Sequence, residues 1–402
     1  MRILGIRNSY WFLIFLILYS GNGISFFNRN IYPIATFLLL GICVYRAYLY
    51  KIDFKGFLLF LIGWGVYCII NFLAFRAFHP LFLVLFPTIV LSSYVLLNSH
   101  RNLRSICAMY EKIIFYLAII SLVFYFWQTI DISSLISLFS LFDLNSGRSY
   151  NAVVYTVHHK AVDGYLSQNC GFCWEPGPFS CSVGLALIIR LLRNRFTMDL
   201  KIVLFVVTIV TTISTTGYLT LLLVFGWLGY RYSKRYFWST IPLAFLLIIY
   251  IFNSTNNLGI KILPQLRGAQ DSFEFYSRYG RETSTSIGRF DGFLLNLEDF
   301  KRYPVMGYGG HFQETFSQRN GLRIYSTSGL GNWAAQFGLV GVLFLAISLY
   351  KSSLFLAKTY NCKEFGFIIW ALLIFIFAFN LLYSPIFSFF LFMGNFKYQR
   401  SQ

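Results

Sequence analysis

Residues 56–75 read GFLLFLIGWGVYCIINFLAF, twenty consecutive positions without a charge, bounded by Lys55 and Arg76. Coiled as an α-helix at 1.5 Å per residue, such a run is about 30 Å long, the thickness of the hydrocarbon core of a bilayer. A lipid-embedded segment must satisfy its own backbone hydrogen bonds, which makes a helix the expected form. Comparable runs recur along all 402 residues, and the chain is 57% hydrophobic and 12% charged, with a mean hydropathy of +0.62. A soluble domain would be about 25% charged.

Twelve spans are expected: Tyr10–Phe26, Ile31–Tyr48, Gly56–Phe75, His79–Leu97, Ile113–Ile130, Pro178–Leu192, Ile202–Thr215, Tyr218–Tyr230, Trp238–Phe252, Gly329–Tyr350, Phe365–Leu382 and Ser384–Phe396. The fold class is therefore all-α, a polytopic membrane helix bundle forming a single integral domain over 1–402. Two long polar stretches interrupt it, 131–177 and 253–327, read as external loops, the second containing short helices. The seventh and eighth spans are short and could be a tilted pair or a re-entrant feature around Ser214-Thr215-Thr216-Gly217.

Charge orients the bundle. With the N-terminus inside, the inner loops and tails collect 20 basic and 4 acidic residues, out of 33 and 15 in the chain. Outside lie 13 basic and 11 acidic residues. Short cytoplasmic loops retain Lys and Arg, so both termini are expected in the cytoplasm and both polar stretches on the external face. The same asymmetry accounts for the net charge of +18 and sets nucleic acid aside as a partner. Asp53, Glu111, Asp199 and Glu364 fall in inner loops, as do Cys107 and Cys362. No carboxylate is left inside a span, which argues against an ion-coupled transporter.

Eleven acidic residues lie in the two polar stretches. The first ends Cys170-Gly-Phe-Cys-Trp-Glu-Pro-Gly-Pro-Phe179, where prolines and a glycine fix a turn at the start of a span. Glu175 is thereby held at the membrane surface, either as a partly desolvated general base or as a helix cap or partner of an arginine. Cys170 and Cys173 lack the βαβ context of a redox motif and read as a disulfide or as two unpaired thiols. His158-His159 with Asp163 has no specific metal-ligand spacing, and neither metal nor cofactor is expected. The second stretch brings Arg267, Arg278, Arg281, Arg289, Arg302, Arg319 and Arg323, whose planar forks suit phosphate oxygens. Its 286–300 segment spaces apolar residues as a short amphipathic helix does. A flexible glycine-rich turn, Val305-Met-Gly-Tyr-Gly-Gly-His311, follows and delivers the one histidine of this stretch, a candidate proton relay.

Taken together these residues resemble the O-antigen polymerase and ligase superfamily of bacterial membrane glycosyltransferases. Arg289, a short helix, then Pro304, Gly307 and Gly309 are similar to the family's Arg–helix–PxxGxG pattern. Asn332 running to Gly338-Leu-Val-Gly341 looks like its later Asn-to-GLVG stretch, Ser214–Gly217 like its small-polar segment between short spans, and Trp174-Glu175-Pro176-Gly177 like the EPG turn of its polymerases. One position departs: many members carry a histidine just before the asparagine, where this chain has Gly331.

The resemblance implies an O-antigen polymerase. The donor would be a glycan on a polyprenyl diphosphate, and the acceptor a hydroxyl of a second lipid-linked repeat unit. A surface polysaccharide would be built at the outer face of the plasma membrane, without nucleotide sugar or cofactor. Membrane lipid and a chain-length regulator protein are the further partners expected. Such transfer needs cations for the departing diphosphate and a base for the hydroxyl. The roles fall to Arg289 with Arg278 or Arg281 for the diphosphate, to Glu175 or His311 as base, and to Arg76 and Asn332 as further substrate-binding residues. A ligase of the same superfamily and a flippase of lipid-linked sugars are the alternatives. Long chains accumulating on the carrier in a mutant would favour the ligase, and transport without elongation the flippase.

Overall fold

The computed structural model describes residues 2–3, 6–21, 31–76, 80–100, 102–140, 150–158, 167–232, 285–286, 289–322 and 324–396. The expected span Trp238–Phe252 and the arginines at 267, 278, 281 and 323 lie outside them. The described residues are mostly helical. Helices run α1 Asn8–Gly21, α2 Ile31–Leu49, α3 Lys55–Phe75, α4 Pro80–His100, α5 Leu103–Ile130, α6 Ile132–Ser140 and α7 Pro176–Arg193. They continue as α8 Leu200–Thr211, α9 Thr215–Tyr232, α10 Arg289–Arg302, α11 Phe316–Arg319, α12 Gly329–Thr359, α13 Phe365–Ala378 and α14 Pro385–Phe392. Three two-residue strand pairs and three single-turn 3-10 helices, Phe312–Glu314, Leu381–Tyr383 and Met393–Asn395, complete the described set. Lys55–Phe75, Phe82–His100, Leu103–Ile130 and Gly329–Thr359 are long and apolar enough to cross a membrane, and several shorter helices are equally apolar. The chain is thus a helical bundle of the membrane-embedded kind.

Helix α7 is the centre. From Gly177 to Ile189 every residue is buried, against α5, α8, α9 and α13. Asn102 and Asp199 cap α5 and α8 by accepting from the amides of Arg104 and Ile202 at 2.9 and 3.0 Å. Pro87 inside α4 leaves the carbonyl of Leu83 without its helical donor, and the Trp64 indole of α3 donates to that carbonyl at 3.3 Å. An apolar setting allows a proline only where a neighbour restores the missing bond.

The largest such repair is in α12, broken at Gly338 (φ 62, ψ −159). Loop 304–309 lies in the break. The amides of Leu339 and Val340 donate to the carbonyls of Pro304 and Val305 at 2.7 and 3.1 Å. In return, those of Tyr308 and Gly309 donate to Ala335 and Gln336 at 3.1 and 2.8 Å. A Cβ on Gly338 would stand 2.4 Å from the Val305 carbonyl oxygen, and one on Gly307 2.2 Å from that of Gln336. The glycine turn expected to be flexible is instead locked backbone to backbone, and the PxxGxG and GLVG segments are two halves of one joint.

Two further expectations are corrected. The stretch 131–177 is not simply a loop. Asp131 ends α5 and accepts from the amides of Ser133 and Ser134 at 3.1 and 3.2 Å, starting α6, whose Leu135 and Phe139 bury against Tyr155 and Val157. Glu111 and Cys107 do not lie in a loop. Helix α5 begins at Leu103, ten residues before the expected span, and both side chains are buried within it. Glu111 is 1% exposed, with Arg193 at 2.8 Å, Arg190 at 3.4 Å and Lys201 at 3.7 Å, while Arg190 also pairs with Asp199. This cluster ties α5, α7 and α8 together at the end of α7 remote from Glu175.

The joint at Gly338 makes a simple contrast. Gly338→Ala should lower unfolding stability by more than about 2 kcal/mol, because it combines a glycine-only backbone with a backbone clash. Gly65→Ala, with open space around it, should change stability by less than about 1 kcal/mol. Chemical unfolding in detergent micelles measures both.

Candidate anion site at the Glu175 turn

The turn before α7 is held from below. Asn169, fully buried, accepts from the amide of Gly171 at 3.1 Å and donates to Ser121 at 3.2 Å and Thr211 at 3.0 Å. The amide of Cys173 returns to the carbonyl of Cys170 at 3.0 Å. Both cysteines are buried free thiols, and burial pushes both well above the usual thiol range. A redox role needs an accessible, readily ionised thiol, so these two are packing residues.

Glu175 follows, half-buried, in the extended conformation of an N-cap but with no side-chain cap bond. Pro176 and Pro178 remove two of the amides that open a helix, so α7 has little need of a cap. Beneath it, Ser180 donates to the carbonyl of Gly177 at 2.7 Å and lies 3.4 Å from the hydroxyl of Ser214. Thr212–Ser214 form the tight break between α8 and α9, with Ile213 at φ 48. Gly217 packs so closely that a Cβ would be 3.1 Å from that of Ser180. The small-polar segment therefore supports the first turn of α7.

Arg289 opens α10 and reaches the end of α13. Its Nε donates to the carbonyl of Ala378 at 2.6 Å, and its guanidinium carbon sits 3.8 Å from the centre of the Phe379 ring. The same ring packs on the Glu175 turn, where a Cβ on Gly177 would be 1.8 Å from Phe379 Cζ. One phenyl ring thus links the two. Burial pulls the Arg289 pKa down, while the charge of Glu175 holds it up, and the group stays cationic. No contact ion pair joins Arg289 to Glu175 among the described residues. The four N–H bonds of its terminal nitrogens have no partner there either.

Helix α10 also packs on the start of α12, through Ser326. Asn296 donates to its hydroxyl at 2.7 Å, that hydroxyl donates to the carbonyl of Gly292 at 3.1 Å, and Asn332 donates to its carbonyl at 3.4 Å. Asn332 is half-buried and serves this junction. Gly331 lies here too: a Cβ would stand 2.8 Å from Asn296 Nδ2 and 3.1 Å from Ser328 Oγ, so a side chain at this position would have to displace both.

His311 and Arg76 are elsewhere. Tyr303, just past the end of α10, packs on Phe75 at 5.2 Å, and His311 packs on the same ring at 4.6 Å. Arg76 follows Phe75 and is exposed. Helix α10 has 14 residues and is about 20 Å long, so these groups and Arg289 are at its two ends. Of the expected residues, the structure brings Glu175 and Arg289 together and separates them from His311 and Arg76. Arg278 and Arg281 lie outside the described residues, as do His159 and Asp163. The sequence reading missed Phe379 and the Ala378 carbonyl, since Ala378-Phe379-Asn380 reads as the tail of an apolar span. No protein-family profile and no curated protein sequence matches this chain.

Asp299, 2% exposed on α10, accepts from the amide of Phe316 and lies 3.5 Å from Arg319. Burial pushes it up to about 6, against the pull of those two partners. The unfolded carboxyl titrates near 3.9, so the folded form binds the proton more tightly. This contribution is present below pH ~4 and is lost as pH rises through about 6. Amide exchange at Phe316–Leu322, corrected for its intrinsic rate, should slow as pH falls from 6 to 4, and Asp299→Asn should remove that dependence.

Proposed function

We propose that this chain is a membrane glycosyltransferase that polymerises polyprenyl-diphosphate-linked oligosaccharide repeat units at the external face of a bacterial inner membrane. The observation that carries the reading is the held guanidinium of Arg289. A half-buried arginine with one N–H bonded, a ring against its face and four N–H donors unclaimed among the described residues is a preorganised anion receptor. A neighbouring carboxylate, Glu175, is what the receptor needs beside it if the anion is a leaving group.

In this scheme the acceptor hydroxyl oxygen attacks the anomeric carbon of the donor glycan. The bond from that carbon to the diphosphate oxygen breaks, and the electron pair leaves on that oxygen, held by Arg289. The hydroxyl proton passes to Glu175. Glu175 is assigned as the base over His311 because it shares the Phe379 junction with Arg289, whereas His311 lies at the other end of α10. The apolar helices surround the site with surface suited to the polyprenyl tail. The twelve-span topology, cytoplasmic termini and external loops belong to this proposal and rest on the charge asymmetry of the loops. Glu111, although buried within a helix, faces three cations and is poorly placed to cycle protons in transport.

Purified protein in proteoliposomes, supplied with lipid-linked repeat units, tests the reading. Arg289→Ala should reduce polymer formation by roughly 10²–10³-fold, as for loss of a donor to a developing oxyanion, and should abolish binding of inorganic pyrophosphate. Arg289→Lys should recover little, since a point charge cannot both lie on the ring and fork to a phosphate. Full activity in Arg289→Ala would sink the assignment.

A further inference from the structure

The end of α10 remote from Arg289 is built as a shelf of rings with a mixed-charge rim. Phe75 lies between Tyr303 and His311, with ring centres 5.2 and 4.6 Å away, and Phe312 is 50% exposed beside Tyr308 at 5.9 Å. At the rim, the Tyr303 hydroxyl donates to Glu314 at 2.6 Å and accepts from Arg302 Nε at 3.1 Å. Lys301 pairs with Glu298 at 2.7 Å, and Arg76 is exposed on a left-handed turn at φ 55.

The shelf is rigid. Tyr67 donates to the carbonyls of Met306 and Gln336 at 2.9 and 3.1 Å, and loop 304–309 is fixed in the break of α12. Rigidity lowers the ordering cost of binding. Cations and carboxylates alternate here, so the shelf is not the one-sign field that a polyphosphate or nucleic acid would select. Ring faces flanked by groups that both donate and accept are the complement of a sugar. A pyranose offers a C–H face to a ring and an edge of hydroxyls to a rim.

We infer that this shelf binds sugar rings of the acceptor glycan, with α10 as the spacer, about 20 Å long, that sets how far those rings lie from the Arg289 end. The inference rests on the glycosyltransferase reading for the word acceptor, but not for glycan binding itself. An aromatic girdle that merely anchors the protein at the membrane surface would show the same rings without sugar affinity.

The full chain in nanodiscs, presented with soluble oligosaccharides cleaved from bacterial surface polysaccharides, decides between them. Wild type should retain at least one oligosaccharide, and Phe312→Ala and Tyr303→Ala should weaken it tenfold or more. Tyr303→Phe should fall between, and Arg289→Ala should bind it within about twofold of wild type. Inorganic pyrophosphate should show the reverse pattern, lost in Arg289→Ala and kept in the shelf variants, which also certifies their folding. In turnover the shelf variants should raise the acceptor KM tenfold and leave kcat and the donor KM unmoved. Retention of no oligosaccharide, or equal retention by the shelf variants, would overturn the inference. Oligosaccharide binding with no polymer formed would preserve the shelf and remove the glycosyltransferase reading alone.

Discussion

A helix broken in apolar surroundings must have its freed amides and carbonyls bonded by something other than water. In this chain that constraint falls on α12 at Gly338, and loop 304–309 meets it with four main-chain hydrogen bonds. The remaining architecture of the polar end follows. Because the loop is fixed in the break, the C-terminal end of α10 is fixed where the loop begins. Ser326, just before α12, holds the same helix through Gly292 and Asn296. With both held, Arg289 at the start of α10 reaches the end of α13, where the Ala378 carbonyl and the Phe379 ring receive it.

Ionisable groups are distributed to two different ends. At one end of α7, Glu111 is enclosed by Arg190, Arg193 and Lys201. Removing one partner from so buried a group leaves the charge uncompensated, so the cluster fastens three helices rather than offering a reactive carboxylate. At the other end, Glu175 and Arg289 share an environment without forming a contact pair, and each keeps bonding capacity unclaimed by described residues. That difference between a saturated and an unsaturated set of charges is the reason the proposed chemistry is assigned to the second.

Much of this is legible in the sequence. The run at 56–75 and its repeats required apolar helices, and the described helices begin or end within a few residues of most expected spans. Charge-free length is a one-dimensional property, and a helix in lipid responds to it directly. Where the reading failed, the cause was a partner distant in sequence. Glu111 looked like a loop residue because its three cations lie some eighty or more positions later. The glycines of 305–311 looked like freedom because the backbone they approach begins nearly thirty residues on.

The sequence by itself determined the helical class, the position of the EPG turn, and the presence of Arg289 at the head of a short amphipathic helix. Pattern and local turn chemistry suffice for those. Only the tertiary structure decided that Glu175 rather than His311 stands with Arg289, that Phe379 is the surface joining them, and that Gly331 packs against Asn296 and Ser328. Each of these depends on which faces of α7, α10, α12 and α13 meet. That is settled by close packing and by the pairing of buried backbone groups, which link residues two hundred positions apart.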